Sequence, residues 1–403
     1  MTAVGRRLVV VGASPLQRPA ILAAREMGLR VAVVDQNPDA VGVADAHEFF
    51  PGSTRDESVV LSAARTFGAH GVMTLATDWP MRGVALAADT LHLPGISYEA
   101  AVRATDKAAM AQAFRDHGIP HPASWEVSSR RDIDDLLPHL TFPVVTKPVD
   151  GSGSIGVTAA RDRQELRDAF DASIAAARNG RVLVQTRVSG PEISIELVFV
   201  NGRAHAVAVT DKRTTGPPHF VEEGHSQPSR HPTPCVERAV GLAARAAAAL
   251  GVDHGTGHAE IMLTEQGPVM IEFGARMGGD RIATDLVRLS TGVDMTELAI
   301  RAALGDPVRV RPTLSRGAAI RFLTATPGIV TGVAGIDRAR RLGGVVDVDV
   351  TAGIGDEVRP LQSSADRVGH VIATGPDAAA ATSAADAGGR EIIITTDEHA
   401  PPG

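Results

Sequence analysis

Four things are scarce in this chain, and each scarcity excludes something. Cys235 is the only cysteine in 403 residues, so no intramolecular disulfide can form and a reducing cytoplasm is the expected compartment. Aromatic residues number 2 Trp, 1 Tyr and 10 Phe, too few for a stacking surface that would read bases or sugars. Positive charge is in deficit, 40 Lys and Arg against 47 Asp and Glu, with no long basic run, so nucleic acid is not expected as the main partner. Long apolar runs are missing too. The nearest to membrane-spanning length, residues 239–252, is broken by Arg245, and residues 1–7 lack the apolar stretch of a signal peptide. What is left is a soluble protein of several lobes, because a chain of this length exceeds one ordinary core and allows roughly two to four.

The first hundred residues alternate strand and helix signals. Leu8 opens an apolar run that ends at Gly12; residues 31–34 form a second, closed by Asp35, and 71–75 a third. Helical spacing covers 15–27, stopped by Gly28, and 81–88. The alternation predicts a parallel, doubly wound sheet, an α/β fold class, followed by α+β lobes. A helix begins near Asp106, ends at Gly118 and is followed by Pro120 and Pro122; from 123 to 188 the pattern is that of a small α/β lobe. Residues 192–200 and 203–210 read as a hairpin turning at Asn201–Gly202, and 258–263 with 269–273 as another around Gln266–Gly267. The stretch 214–234 holds five prolines and reads as one long loop, followed by an Ala-rich helix over 237–250. From about Arg316 the chain turns to short strands and one helix near 377–387, a separate lobe, with 399–403 a frayed tail. The expected division is 1–105, 106–188, 189–312 and 313–403.

Three segments carry chemistry. In the run from Lys147 to Val157, Gly151, Ser152, Gly153, Ser154 and Gly156 offer backbone amides and hydroxyls that can close on phosphate oxygens, with Lys147 as a point charge. An ordinary turn beside a solvated lysine has the same composition. Glu260 and Glu272 sit on the two strands of the second hairpin and can converge on one Mg²⁺, with Arg276 four residues on, placed for a transferring phosphoryl group. Two solvated glutamates on a surface hairpin are the bland alternative. Gln185, after three apolar residues, can bond an adenine edge, and Glu192 can take ribose hydroxyls. Gly12 is not followed by the further glycines of a dinucleotide fingerprint, so the first lobe looks Rossmann-like without an NAD site.

Lys107, Lys147, the Gly-rich loop, the strand at Gln185 and the paired glutamates stand in the order and spacing of the ATP-grasp family, a resemblance covering roughly residues 105–290. It implies an ATP-grasp fold with ATP held between two α+β subdomains. Lys107 and Lys147 would then lie at the phosphates, and 151–156 would be a lid. Gln185 and Val188 would lie at the adenine, Glu192 at the ribose, and Glu260 and Glu272 at Mg²⁺, two ions being expected; whether Mn²⁺ substitutes is open. Gly274 stands where many members have a metal-binding Asn. More narrowly, the run from Glu272 to Asp280 (Glu-Phe-Gly-Ala-Arg-Met-Gly-Gly-Asp) and that from Phe220 to His225 resemble L-amino-acid ligases, and the last lobe looks like the C-terminal domain of that group.

The resemblance implies a ligase that phosphorylates a carboxylate with ATP and lets an amine attack the acyl phosphate. The expected partners are small carboxylate and amine substrates, amino acids foremost, with no nucleic acid, no membrane and a homodimer by analogy. Arg276 would stabilise the acyl phosphate, and His225, in the Pro-rich loop, would contact the amino acid or take the amine's proton. Lys212, Glu223, Gly278, Gly279 and Asp280 are further substrate-side candidates, and Arg281 borders the same pocket. Other readings are a ligase of purine or secondary metabolism with a different acid, amine or thiol, and an ATP-binding regulator without catalysis. A dehydrogenase ranks last.

Overall fold

A computed structural model of the chain describes residues 5–397. The N-terminal sheet has four parallel strands in the order Glu48–Pro51, Arg30–Asp35, Arg7–Val11, Gly71–Met73. Its apolar runs are continuous because both faces are covered. Leu8 and Val10 pack with Ile21 of helix Arg18–Glu26 and Leu298 of helix Met295–Ala303. Val9 and Val11 pack the other way, against Val60 of helix Glu57–Phe67 and Val84 of helix Met81–Leu91. The loop after the first strand is filled by the buried Gln17, whose Nε2 donates to the Leu75 carbonyl at 2.7 Å. A Cβ at Gly12 would stand 2.8 Å from the Gln17 Oε1.

The next lobe is an antiparallel sheet in the order Ser124–Val127, Val182–Thr186, Val144–Pro148, Thr158–Ala160. Val144, Val182 and Val184 face helices Arg130–Leu136 and Arg163–Ala176, and the alternation turns Val145, Lys147 and Gln185 to the opposite side. That side forms one wall of the main cavity.

The other wall belongs to an eight-stranded antiparallel sheet. Its order is Gly267–Gly274, Thr256–Thr264, Glu192–Val200, Arg203–Thr214, Glu222–Gln227, Gly317–Leu323, Gly369–Gly375, Val345–Val350. The first hairpin turns at Asn201 (φ 51°) and Gly202 (φ 74°), the two left-handed residues that a two-residue turn requires. Helix Thr233–Leu250 buries Leu242, Ala246 and Leu250 against one face.

Residues 214–234 are not one loop. The proline-free stretch between Pro218 and Pro228 contains strand Glu222–Gln227, paired on both edges. Its Glu-Glu-Gly-His-Ser-Gln sequence has no apolar alternation, so the pairing partners, and not local pattern, make it a strand. The last ninety residues share this sheet through three strands. They add a three-stranded sheet, Glu357–Val358, Gly328–Ala334 and Ile393–Asp397, and helix Ala378–Glu391, capped by Asp377. The tail at 399–403 lies outside the described residues. Among those described, no helix is long and apolar enough to cross a membrane.

Candidate active site

Glu260 and Glu272 are direct cross-strand partners in the hairpin Thr256–Thr264/Gly267–Gly274, so both carboxylates project from one face into the main cavity. Three lysines approach them. Lys107 opens helix Lys107–Asp116, whose first turn is capped by Asp106 through the amides of Ala108 and Ala109. Its Nζ lies 2.7 Å from Glu272 Oε1 and 2.7 Å from the Gly151 carbonyl. Burial works against the Lys107 charge, but Glu272 outweighs it and the pKa is raised.

Lys147 is different. It is buried, and among the described residues no carboxylate lies within ion-pair distance of it. Burial lowers its pKa, Glu272 opposes that, and Lys107 adds to it. A buried ammonium without a counter-ion, facing a cavity, is a place where an anion is attracted. Lys212, a substrate-side candidate from the sequence, stands on protein carboxylates: its Nζ is 2.5 Å from Glu192, 2.8 Å from Glu260 and 3.6 Å from Glu222.

The Gly-rich segment lines the cavity from Gly151 to Ile155, with Gly153, Ser154 and Gly156 at positive φ. Gln185 and Val188 line the same cavity, and Gln185 Nε2 donates to Ser124 Oγ at 2.8 Å. Glu192 lines the same cavity; its burial raises its pKa and Lys212 counters that.

Arg276 reaches the cavity but does not stand free. Its Nε and one terminal nitrogen donate to the Asp78 carboxylate at 3.0 and 2.8 Å, and another donates to the Met277 carbonyl. Asp78 comes from the loop after the last strand of the N-terminal sheet, so that domain contributes to the site. The pair also accounts for Gly274: a Cβ there would lie 2.9 Å from Arg276 Cζ and 3.1 Å from Asp78 Oδ1. An asparagine would collide with the pair.

His225 is not a loop histidine. It is buried within strand Glu222–Gln227, edge-on to Phe322, with Nε2 3.4 Å from Asp280. Asp280 is held by two bonds from Arg367, at 2.6 and 2.9 Å, and Arg367 stacks over Phe322. Burial would raise the Asp280 carboxyl, yet Arg367 and His225 hold it well below the usual carboxylate range. His225 and Asp280 thus form a cluster with the C-terminal residues, beside the cavity wall and not on it. Strand alternation puts Glu222 on the cavity and Glu223 on the other face, 3.9 Å from Arg321. Gly278 donates its amide to Glu196 at 2.9 Å, while Gly279 is open toward Ala76 of the N-terminal domain.

Sequence reasoning gave no role to Asp78, Glu196 or His258, and took Glu222 only as part of the run from Phe220 to His225. His258 lies two residues before Glu260, its Nδ1 on Glu196 and its Nε2 3.5 Å from Glu260. Burial pulls its pKa down, but Glu196 and Glu260 raise it to about 9. The H-x-E spacing on one strand face was the available signal.

Among the described residues no group of three His, Cys, Asp or Glu side chains is arranged to hold a metal ion by itself. Two carboxylates on one face leave most of a cation's shell to other oxygens. That suits Mg²⁺, which keeps waters and substrate phosphates as ligands.

Known proteins place this architecture. Residues 140–285 match the ATP-grasp domain family. That stretch is an ATP-grasp domain. Further along, residues 321–397 match the L-amino acid ligase C-terminal domain 2. An uncharacterized protein of Sinorhizobium fredii is 30% identical over 322 residues, 79% of this chain and 66% of that one. Carnosine synthase 1 of Gallus gallus is 29% identical over 331 residues, 75% of this chain but only 36% of that protein. The chain therefore spans about two thirds of the first relative and about a third of the second. The fold is that of L-amino acid ligase from Bacillus licheniformis, with a TM-score of 0.84 at 22% identity over 98% of this chain and 100% of that one.

Proposed function

We propose that the protein is an ATP-dependent carboxylate–amine ligase that joins two amino acids, or an amino acid and a related acid or amine, through an acyl phosphate, releasing ADP and phosphate. The observation that carries this is the convergence on one cavity of Glu260 and Glu272 with Lys107, Lys147 and Arg276, under a Gly-rich loop. The C-terminal domain match and the carnosine synthase relative support amino acids as the substrate class.

A carboxylate has no leaving group that an amine can displace at neutral pH, so it must first be phosphorylated. Such transfer needs positioning and charge neutralisation more than a protein nucleophile. Glu260 and Glu272 are the residues that would hold Mg²⁺, and the ion would supply positive charge to the phosphate oxygens. Lys147, lacking a carboxylate partner, binds the nucleotide phosphates, and Lys107 joins it from the helix start. Arg276, aimed by Asp78, stabilises the oxygens that gain charge as the acyl phosphate forms and is attacked. Gln185 and Val188 hold the adenine and Glu192 the ribose. The loop at 151–156 excludes water, which would otherwise hydrolyse the intermediate.

The test is ADP release from purified protein with ATP and Mg²⁺ across all pairs of the twenty L-amino acids. Release that needs two particular amino acids, with a product of their joined mass, is the expected result. ATP binding without release for any pair would refute the joining of two of these amino acids and leave a related acid or amine as the substrate to screen next.

A further inference from the structure

We infer that Glu196 and His258 form a positioning pair that sets the Glu260 carboxylate for its cation; this rests on the ligase reading above and deepens it. Glu196 lies in strand Glu192–Val200, directly across from His258 in the neighbouring strand, and is 0% exposed. Its two oxygens are both committed. Oε1 accepts from His258 Nδ1 at 2.5 Å, and Oε2 accepts from the Gly278 amide at 2.9 Å. With Nδ1 fixed in this way, the imidazole presents Nε2 to Glu260 Oε1 at 3.5 Å. The same Oε1 takes the Lys212 ammonium at 2.8 Å. One oxygen of Glu260 is therefore held between two protein groups, and among the described residues none holds Oε2.

A buried carboxylate is costly, and well-packed apolar residues would fill the same space at less expense. One contact of this one leads to the cavity, through His258 to Glu260, and the other holds the Gly278–Gly279 turn that follows Arg276. The turn needs its glycine for the purpose, since a Cβ at Gly278 would stand 2.4 Å from Glu196 Oε1 and 2.6 Å from His258 Nδ1. Groups that orient a metal-binding carboxylate from behind commonly matter about 10- to 100-fold in metal affinity. Glu196 and His258 are positioning residues in this sense, acting through Glu260.

Glu196→Gln and His258→Asn test the inference. Gln offers one acceptor where two donors converge, so either the Gly278 bond is lost or the His258 bond is reversed, with the amide donating to Nδ1. Mn²⁺ binding in the presence of a non-hydrolysable ATP analogue, followed by the electron paramagnetic resonance of free Mn²⁺, reads the cation site without turnover. Each variant should weaken Mn²⁺ binding about 10- to 100-fold, the double variant no further than the weaker single. Nucleotide affinity without metal should hold. Thermal melting identifies folded protein; if Glu196→Gln does not fold, His258→Asn and His258→Gln decide. Unchanged Mn²⁺ affinity in folded variants would overturn the inference and leave the pair as core. Wild-type protein that binds no Mn²⁺ with nucleotide would instead overturn the ligase reading, a result visible before any variant is made.

Discussion

Removing Asp78 separates the orientation of Arg276 from its charge. Both side chains are only 13% exposed. Burial works against the guanidinium, but Asp78 more than offsets it and raises its pKa, so Arg276 remains a cation with or without its partner. Asp78→Ala then leaves a mostly buried charge with only the Met277 carbonyl. Breaking a fully buried pair costs about 3–5 kcal/mol, and one face of this pair is open to the cavity, so we expect about 2–3 kcal/mol. Arg276→Ala strands Asp78 at a similar cost. The double variant should be destabilised by less than the sum of the singles, because no orphan charge survives. In turnover, Arg276→Ala should lose about 100-fold or more, as when a group aimed at developing charge is removed. Asp78→Ala should lose about 10-fold, and the double variant should match Arg276→Ala, since Asp78 acts only by aiming that side chain. Urea denaturation followed by far-UV circular dichroism and ADP release at saturating substrate provide the two readouts. Additive losses in both would refute the reasoning, because they would mean Asp78 and Arg276 work apart.

Lys147→Met should raise the KM for ATP by about tenfold or more while leaving the melting temperature unchanged or higher, since the ammonium is buried without a carboxylate; nucleotide titration and a thermal melt check both halves. Gly274→Ala places a Cβ 2.9 Å from Arg276 Cζ and should cut turnover while keeping most stability, measured as ADP release against urea midpoint. Arg367→Ala removes both bonds to Asp280 and the stack on Phe322, and should raise the KM of one amino-acid substrate more than that of ATP. Trp79 lies between the guanidinium groups of Arg55 in the N-terminal domain and Arg178 in the small lobe, each 3.9 Å from the ring centroid. In a Trp125→Phe background its emission should change when nucleotide binds and the lobes adjust, and an unchanged spectrum at saturating ADP would detach it from that motion.

The parts of the molecule that a sequence can announce are those whose cause is local. The apolar runs at Leu8 and Val31 are read as buried parallel strands because burial on both faces removes the alternation. Asn201–Gly202 announces its turn because left-handed backbone at two positions selects those residues. The proposed metal side of the site is equally local: Glu260 and Glu272 lie on one hairpin, so their separation along the chain fixes their separation in space. Helix Glu57–Phe67 was legible and went unread, for Asp56 caps it and Gly68 ends it in the left-handed conformation. Strand Glu222–Gln227 was not legible, because its polar sequence becomes a strand only between two partners that lie before and after it in the chain. The proposed substrate side of the site follows the same logic. Asp78 meets Arg276, and Arg367 meets Asp280, through contacts between segments far apart in sequence; no spacing rule links them. His225 shows the consequence: the proline-rich sequence around it reads as a loop, but strand pairing buries it against Phe322 and ties it to Asp280, which Arg367 holds in turn.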